Sequence, residues 1–383
     1  MIKTAKTLAI VVAVLVSLGI VMLASTSSVR GAIVFNDQYF FIKRQLAWLL
    51  LSIVVGWILY YTDYHWWQKL GVPLALFSLL LLILVIVPPF RKVINGSSRW
   101  LIIGPLRFQP SELAKLSIII VLSLWLTKIG RKVLLLREGF VLPLVGLGIT
   151  ALLILLEPDF GTAVLILATG IAILFIAGTR IVYLTGIIGI GILGIVAMVL
   201  KDSVRLIRIL AFLWPEKYPD ATYHVTQSKF AFMAGKILGV GIGNSIQKHL
   251  YLPEAHTDFI LAIIGEELGF IATFSVILLF VIILICGIAI SNKAPDLFGR
   301  YVAFGITFMI TIQAAINIGV VTGCFPTKGL PLPFISYGGS SLVSSFAAIA
   351  ILMNIAKHAV NLDNDKHTKA IKDRFYNLSL IHI

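Results

Sequence analysis

Apolar residues fall along this chain in long runs, and the charged residues gather mainly between those runs. Ten runs can be marked, at about 8–25, 46–62, 70–88, 111–127, 140–156, 160–177, 181–200, 259–290, 301–323 and 341–358. Each reaches the length of about 17–25 residues that a helix needs to cross a bilayer, whereas a membrane strand needs only about 9–11 alternating ones. The pattern predicts an all-α integral membrane protein of about ten transmembrane helices. An even number of crossings puts both termini on one side. The eighth run is too long for a simple crossing, so its ends must tilt or project past the hydrocarbon.

Between the seventh and eighth runs lies the only long polar connection, 201–258, which carries WPEKYPD, TQSKFAF and GKILGVGIGNS. Connections of this length are functional or disordered, and the Trp214, Phe230 and Phe232 content favours a packed one. Residues 1–358 then form one polytopic domain with 201–258 as an extracytoplasmic loop inside it. Residues 359–383, polar and mixed in charge, read as a loose cytoplasmic tail. Lys3 and Lys6 precede a first run longer than the h-region of about 7–15 residues in a signal peptide, so this run reads as an uncleaved helix.

Composition sharpens the picture. With 59% hydrophobic and 13% charged residues and a mean hydropathy of +1.01, the chain has too few polar groups for a soluble surface. The net charge of +14 has no soluble basic domain to carry it, which points to anionic lipid and away from nucleic acid. Cys286 and Cys324 lack ligand spacing, against both a disulfide framework and a zinc site. With the termini in the cytoplasm, 15 Lys and Arg lie inside and 16 outside, 7 of the latter in the long loop that the positive-inside rule discounts. The cations left outside call for a reason, and an anionic substrate on that face supplies one.

The acidic residues of LPEAHTDFILAIIGEELGF, Leu252 to Phe270, interrupt an apolar stretch, and ionisable groups in lipid mark sites by default. Thr257 and Asp258 stand where a helix begins. Either residue can cap that helix, and Asp258 can equally be a carboxylate at the membrane surface that takes a proton from a sugar hydroxyl or holds a divalent cation. Glu266 and Glu267 follow about 12 Å and 13.5 Å along that helix, roughly 80° and 180° around from Asp258. Glu266 can therefore line the same cavity, while Glu267 faces another helix; buried carboxylates bonded to neighbouring helices are the plainer reading of both.

Arg99 and Arg107, in GSSRWLIIGPLRFQPSELAKL, have no local neutralising partner, and forked guanidinium donors suit phosphate oxygens. Glu112 and Lys115, one turn apart, form a pair of structural type. In LLEPDFGTAV, Asp159 is expected to cap the sixth helix after a tight turn that also carries Glu157. The proline- and glycine-rich but apolar TGCFPTKGLPLPFISYGGSSL predicts a re-entrant segment, with Lys328, Ser336, Ser340 and Ser341 as donors to a headgroup or, for the serines, as helix caps.

Together GSSRWL with FQPSELAK, EPDFGTA, GNSIQKHLYLPEAHTDFILAIIGEELG and NIGVVTGCFPTKGLPLPFISYGGSSL resemble the SEDS family, which includes FtsW, RodA and SpoVE, over roughly residues 8–358. The TQS segment, GVGIGNSIQK and PTKGLPLPF are more similar to the division-type members than to RodA. Cys324 stands where leucine is commoner in the family.

The resemblance implies a peptidoglycan glycosyltransferase polymerising lipid II on the outer face of the bacterial cytoplasmic membrane. It also implies a class B penicillin-binding protein transpeptidase and other divisome proteins as partners, at the division septum. It places the family's essential carboxylate on Asp258 and its acid-base pair on Glu112 and Lys115. In that chemistry Asp258 is general base or ligand to a divalent cation (Mg or Mn), and Arg99, Arg107, Lys115 and Lys328 steady the departing diphosphate. Ser336 and Glu266 complete the expected substrate-binding set. A lipid II flippase and a non-catalytic divisome scaffold are the alternatives.

Overall fold

The computed structural model describes residues 1–88, 98–103 and 106–380, and side chains as far as residue 360 except at 103, 106 and 195. Gly96 and Ser97 of GSSRWL, Gly104 and Pro105 after it, and the last three residues of the expected tail lie outside the described residues.

Among the described residues ten helices are long and apolar enough to cross a membrane: α1 (Ile2–Phe35), α2 (Phe40–Tyr61), α3 (Trp66–Ile86), α4 (Pro110–Ile129), α5 (Leu142–Leu156), α6 (Phe160–Ala177), α7 (Ile181–Lys201), α10 (Ile260–Asn292), α11 (Leu297–Val321) and α12 (Gly339–Leu380). They coincide with the ten runs because lipid accepts a chain only where every backbone group is bonded internally. α12 and α11 are the most enclosed, followed by α4 and α6, with Leu352, Ile306, Ile119 and Ile173 fully buried. α7 stands at the periphery, where among the described side chains only Leu184 and Val199 are buried.

Three features depart from the sequence reading. The connection 201–258 is largely helical, with α8 (Ser203–Leu213), started by an Asp202 cap, and α9 (Pro219–Gly235). The stretch before α4 folds into a hairpin of β1 (Leu101–Ile103) and β2 (Leu106–Phe108), Leu101 opposite Phe108. The segment expected as a loose tail continues α12 to Leu380, since neither proline nor glycine follows Gly339 to stop it.

The over-long eighth run is broken rather than simply tilted. Gly269 takes φ 78°, ψ −172° inside α10, a conformation that glycine alone adopts readily, and the backbone of Ile237 and Gly239 packs where its side chain would be.

The segment 322–338 is irregular and apolar, with Leu330, Leu332, Phe334 and Ile335 buried. Irregular backbone at membrane depth must find its hydrogen bonds in protein, and here it does. Asn317 Nδ2 donates to Leu330 O (2.7 Å) and Asp258 O (2.8 Å), and Gln313 Nε2 to Pro331 O (2.8 Å). Ser336 Oγ donates to Thr257 O (2.6 Å), and the Tyr337 amide to His256 O (3.0 Å). The re-entrant segment and the chain entering α10 are thereby stitched into one unit, at the end of the bundle away from both termini.

Candidate functional site

Asp258 precedes α10 without capping it. The N-cap position is Phe259, no side chain caps the helix, and Thr257 Oγ1 donates instead to Glu254 Oε2 (2.9 Å). Among the described residues no hydrogen bond claims the Asp258 carboxylate, which is only partly buried. Burial first, then the negative charge of Glu254, pushes its pKa up to about 7; Arg99 opposes the shift and Asp159 adds to it. The carboxylate packs against Gly329, where a Cβ would come within 2.6 Å of Oδ2.

Gly329 also lines a cleft of about 180 Å³, together with Arg99, Asp159, Phe160, Arg205, Arg208 and Lys328. Four cations thus converge on one opening beside the carboxylate. Lys328 Nζ sits 3.4 Å from the centre of the Phe160 ring, and Arg205 stacks over the same ring at 5.6 Å. Burial lowers the Lys328 pKa to about 7; Asp159 resists this, while Arg205, Arg208 and Arg99 reinforce it. Asp159 caps α6 as expected, accepting from Thr162 N (3.2 Å) and Thr162 Oγ1 (2.8 Å). Glu157, behind it, is fully buried with neither oxygen hydrogen-bonded, and burial, then Asp159, raise its pKa to about 9.

The expected residues are only partly gathered here. Asp258, Arg99 and Lys328 converge. Arg99 is not free of partners, for Asp159 lies 3.8 Å from its Nε and its Nη2 donates to Pro158 O (2.6 Å); the neutralising group comes from a distant segment. Arg107 is exposed and does not border the cleft; its carbonyl accepts from Ser340 Oγ (3.3 Å).

Glu112 and Lys115 do pair, at 3.0 Å, but both are buried in helix packing, and Lys115 Nζ also donates to Gln313 Oε1 (2.9 Å). Ser336 is no headgroup donor, because its hydroxyl hydrogen goes to Thr257 O while its oxygen accepts from Leu332 N (2.8 Å). Glu266 does not share a cavity with Asp258. It is buried against the loop after α9, accepting from Ser245 Oγ, from Ile246 N at 2.9 Å and from Gln247 N at 3.4 Å. Glu267 does face another helix, accepting from Ser25 Oγ of α1 (2.6 Å) and pairing with Lys248 (3.3 Å).

Arg205 and Arg208 went unread in the sequence. Their signal is the three-residue spacing in SVRLIRIL, which sets both on one face of a short amphipathic helix. Among the described residues no group of three or more His, Cys, Asp or Glu side chains could hold a metal, so an all-protein cage is absent there. A divalent cation that takes one carboxylate and completes its shell with phosphate oxygens and water remains compatible with Asp258.

Chemically, the site offers a carboxylate poised to exchange a proton near neutrality, flanked by cations matched to a diphosphate, at the border of the membrane.

Comparison with known proteins points the same way. The cell cycle protein family of FtsW, RodA and SpoVE matches residues 5–361. The chain is 43% identical over 350 residues to a probable peptidoglycan glycosyltransferase FtsW of Trichlorobacter lovleyi, covering 91% of this chain and 92% of the relative. It is 40% identical to stage V sporulation protein E of Bacillus subtilis, over 92% and 96% of the two chains. A chain from a peptidoglycan synthase complex, a structure concerned with the coordination of polymerization and crosslinking, superposes with a TM-score of 0.75 at 28% identity, covering 92% of this chain and 97% of that one. The rod shape determining protein RodA of Thermus thermophilus gives 0.68 at 27% identity, over 91% and 95%.

Proposed function

Because the chain belongs to the FtsW, RodA and SpoVE family of cell cycle proteins, we propose that it is the polymerising enzyme of the cell wall, a peptidoglycan glycosyltransferase acting on lipid II during division. The observation that carries this reading is the Asp258 carboxylate beside a cleft lined by Arg99, Arg205, Arg208 and Lys328.

The substrate is a disaccharide-peptide on undecaprenyl diphosphate. Its prenyl chain stays in the bilayer and its diphosphate lies at the level of the cations. The acceptor sugar hydroxyl attacks the anomeric carbon of the donor, a C–O bond forms, and the bond to the diphosphate oxygen breaks with inversion. Asp258 takes the hydroxyl proton; a base with a pKa near 7 is matched to this task at neutral pH. Arg99, Arg205, Arg208 and Lys328 stabilise the negative charge that grows on the leaving diphosphate. In the alternative role, Asp258 would hold a divalent cation (Mg or Mn) in place of taking the proton, and that ion would supply further charge neutralisation at the leaving diphosphate.

The multi-pass membrane protein is oriented, on this reading, with both termini in the cytoplasm, the cleft outward, and its place at the septum. The likeness to a chain of a peptidoglycan synthase complex supports a crosslinking partner, which we take to be a class B penicillin-binding protein transpeptidase among other divisome proteins.

The test incubates purified protein, with and without its transpeptidase, with labelled lipid II and divalent cation, and sizes the products. Glycan polymer from the native protein and none from Asp258→Asn is the expected result. Lipid II translocation in sealed vesicles without polymer would instead identify a flippase, and inactivity in both assays a scaffold.

A further inference from the structure

A second cavity, of about 570 Å³, lies among α1, α2 and α12, at the end of the bundle that carries both termini. Its walls run from Ala9 to Ile20 on α1, from Leu49 to Tyr61 on α2 and from Phe346 to Met353 on α12, and they are almost wholly aliphatic and aromatic. Nothing in the glycosyltransferase reading uses it.

Its depth and its charged end select an occupant. Ala9 to Ile20 spans about 16 Å of helix, roughly half of the ~30 Å hydrocarbon of a bilayer, so the cavity is about one leaflet deep. It is a groove open on the side where Ala13, Ile53 and Trp57 are exposed, and its apolar walls suit an extended hydrocarbon chain from the surrounding lipid. The cations at its polar end favour an anionic headgroup on that chain over an apolar segment of polypeptide.

The polar end of the groove is cationic. Lys357 Nζ lies 5.3 Å and 5.1 Å from the ring centres of Tyr60 and Tyr61, both of which line the cavity, and Met353, also a lining residue, is one turn before Lys357 on α12. Exposed Lys6 sits three residues before Ala9, on the same face of α1. The nearby acid Asp63 is engaged by His65, at 2.7 Å. Tyrosines at the level of the headgroups and lysines that reach toward them are the usual furniture of a membrane interface.

We propose that this groove holds one acyl chain of an anionic phospholipid from the leaflet on the side of the termini, the cytoplasmic leaflet in the orientation given above, with its phosphate against Lys357 and Lys6. The site anchors the α1–α2–α12 side of the bundle by a lipid that is not a substrate.

Gly56 offers a clean way to fill the groove. A Cβ there meets Phe346 Cδ1 at 3.6 Å, ordinary contact, so the backbone accepts a side chain at a position that lines the groove. Ala13, exposed to the same cavity from α1, gives a second and independent plug. Full-length protein in detergent is mixed with phosphatidylglycerol or phosphatidylcholine of identical chains, and retained lipid is counted by native mass spectrometry, with thermal unfolding recorded for each variant.

The native protein is expected to retain one phosphatidylglycerol in preference to phosphatidylcholine. Gly56→Leu and Ala13→Leu lose both lipids. Lys357→Gln keeps the chain but loses about fivefold in preference, the share one lysine contributes near an anionic surface. Retention by folded Gly56→Leu and Ala13→Leu equal to that of the native protein overturns the site. Equal retention of the two lipids by the native protein overturns the headgroup assignment, and a polypeptide held there in place of lipid overturns the choice of occupant.

Discussion

The Asp258 carboxylate rests on the backbone of Gly329, in a gap that has no room for a methyl group. The contact couples the general base to the re-entrant segment that carries Lys328, so base and leaving-group cation are positioned by one loop. Gly329 is required here for close approach, since a Cβ would fall 2.6 Å from Oδ2. Gly329→Ala is expected to displace the carboxylate and to lower polymerisation by about 10²-fold, the loss that a misplacement of about 1 Å can cause, with little change in unfolding temperature. A product assay paired with thermal unfolding checks it; full activity in the folded variant would disprove the contact.

Asp258→Asn removes the base but fills the same space. Loss of general base catalysis is worth about 10²–10⁴-fold, so polymer should fall by that factor. Among the described residues the carboxylate has no hydrogen-bond partner to lose, so stability should not fall, and near neutral pH it should rise because Asn carries no charge to bury. A single-turnover assay on detergent-purified protein reads the first quantity, and calorimetry the second.

The pH dependence follows from two opposed shifts. Asp258 must be ionised to take a proton and Lys328 protonated to steady the diphosphate, and both titrate at about 7. The rate is therefore expected to be bell-shaped and centred near neutrality, and Lys328→Arg should flatten its alkaline limb. For stability the signs differ. Asp258 binds its proton more tightly folded than unfolded, so its contribution falls as pH rises from about 4 to about 7. Lys328 binds its proton less tightly folded, so its contribution rises with pH from about 7 to about 10.5. A rate that climbs steadily past pH 9 would remove Lys328 from the mechanism.

Arg205 and Arg208 come from a helix outside the ten spans, yet they line the cleft. If each contacts the diphosphate, Arg205→Ala and Arg208→Ala should each lower kcat/KM for lipid II by about 10–10²-fold, the range for a hydrogen bond to a charged group. Unaltered kinetics in both variants would return the two arginines to a merely electrostatic surface role.

Glu266 provides the contrasting case. Glu266→Ala strands the buried Ser245 Oγ and the part-buried Ile246 N and Gln247 N, and a buried donor left unsatisfied costs roughly 1–3 kcal/mol. A lowered unfolding temperature with an unchanged KM for lipid II is expected. A raised KM at full stability would restore the substrate-binding role that its position along the helix first suggested.

The spans were legible because lipid imposes one requirement, a continuous apolar helix, that shows in composition alone. Side-chain partners were harder to read wherever they depend on which distant segments meet. The Arg99 and Asp159 pair joins the hairpin region to the start of α6, and neither local sequence announces the other. Helical geometry gave Glu266 a plausible angle relative to Asp258, but Asp258 precedes the helix, and the loop at 245–247 folds over Glu266. Arg205 and Arg208 sit in the polar connection between spans, where the short amphipathic period of SVRLIRILAFL stands out less than the apolar runs on either side. Ser336 illustrates the remaining ambiguity: a hydroxyl in a glycine-rich loop is equally suited to a ligand and to a backbone carbonyl, and only the fold shows that Thr257 claims it.

The side-chain amide of Gln313 has its two ends committed in different directions, the oxygen to Lys115 inside α4's packing and the nitrogen to Pro331 of the re-entrant segment. An outward swing of that segment during product release would tug this amide away from the ammonium and leave a buried cation short of an acceptor. Gln313 therefore acts as a mechanical tether, and hydrogen exchange at residues 330–337 that speeds up in Gln313→Leu would show how firmly it holds.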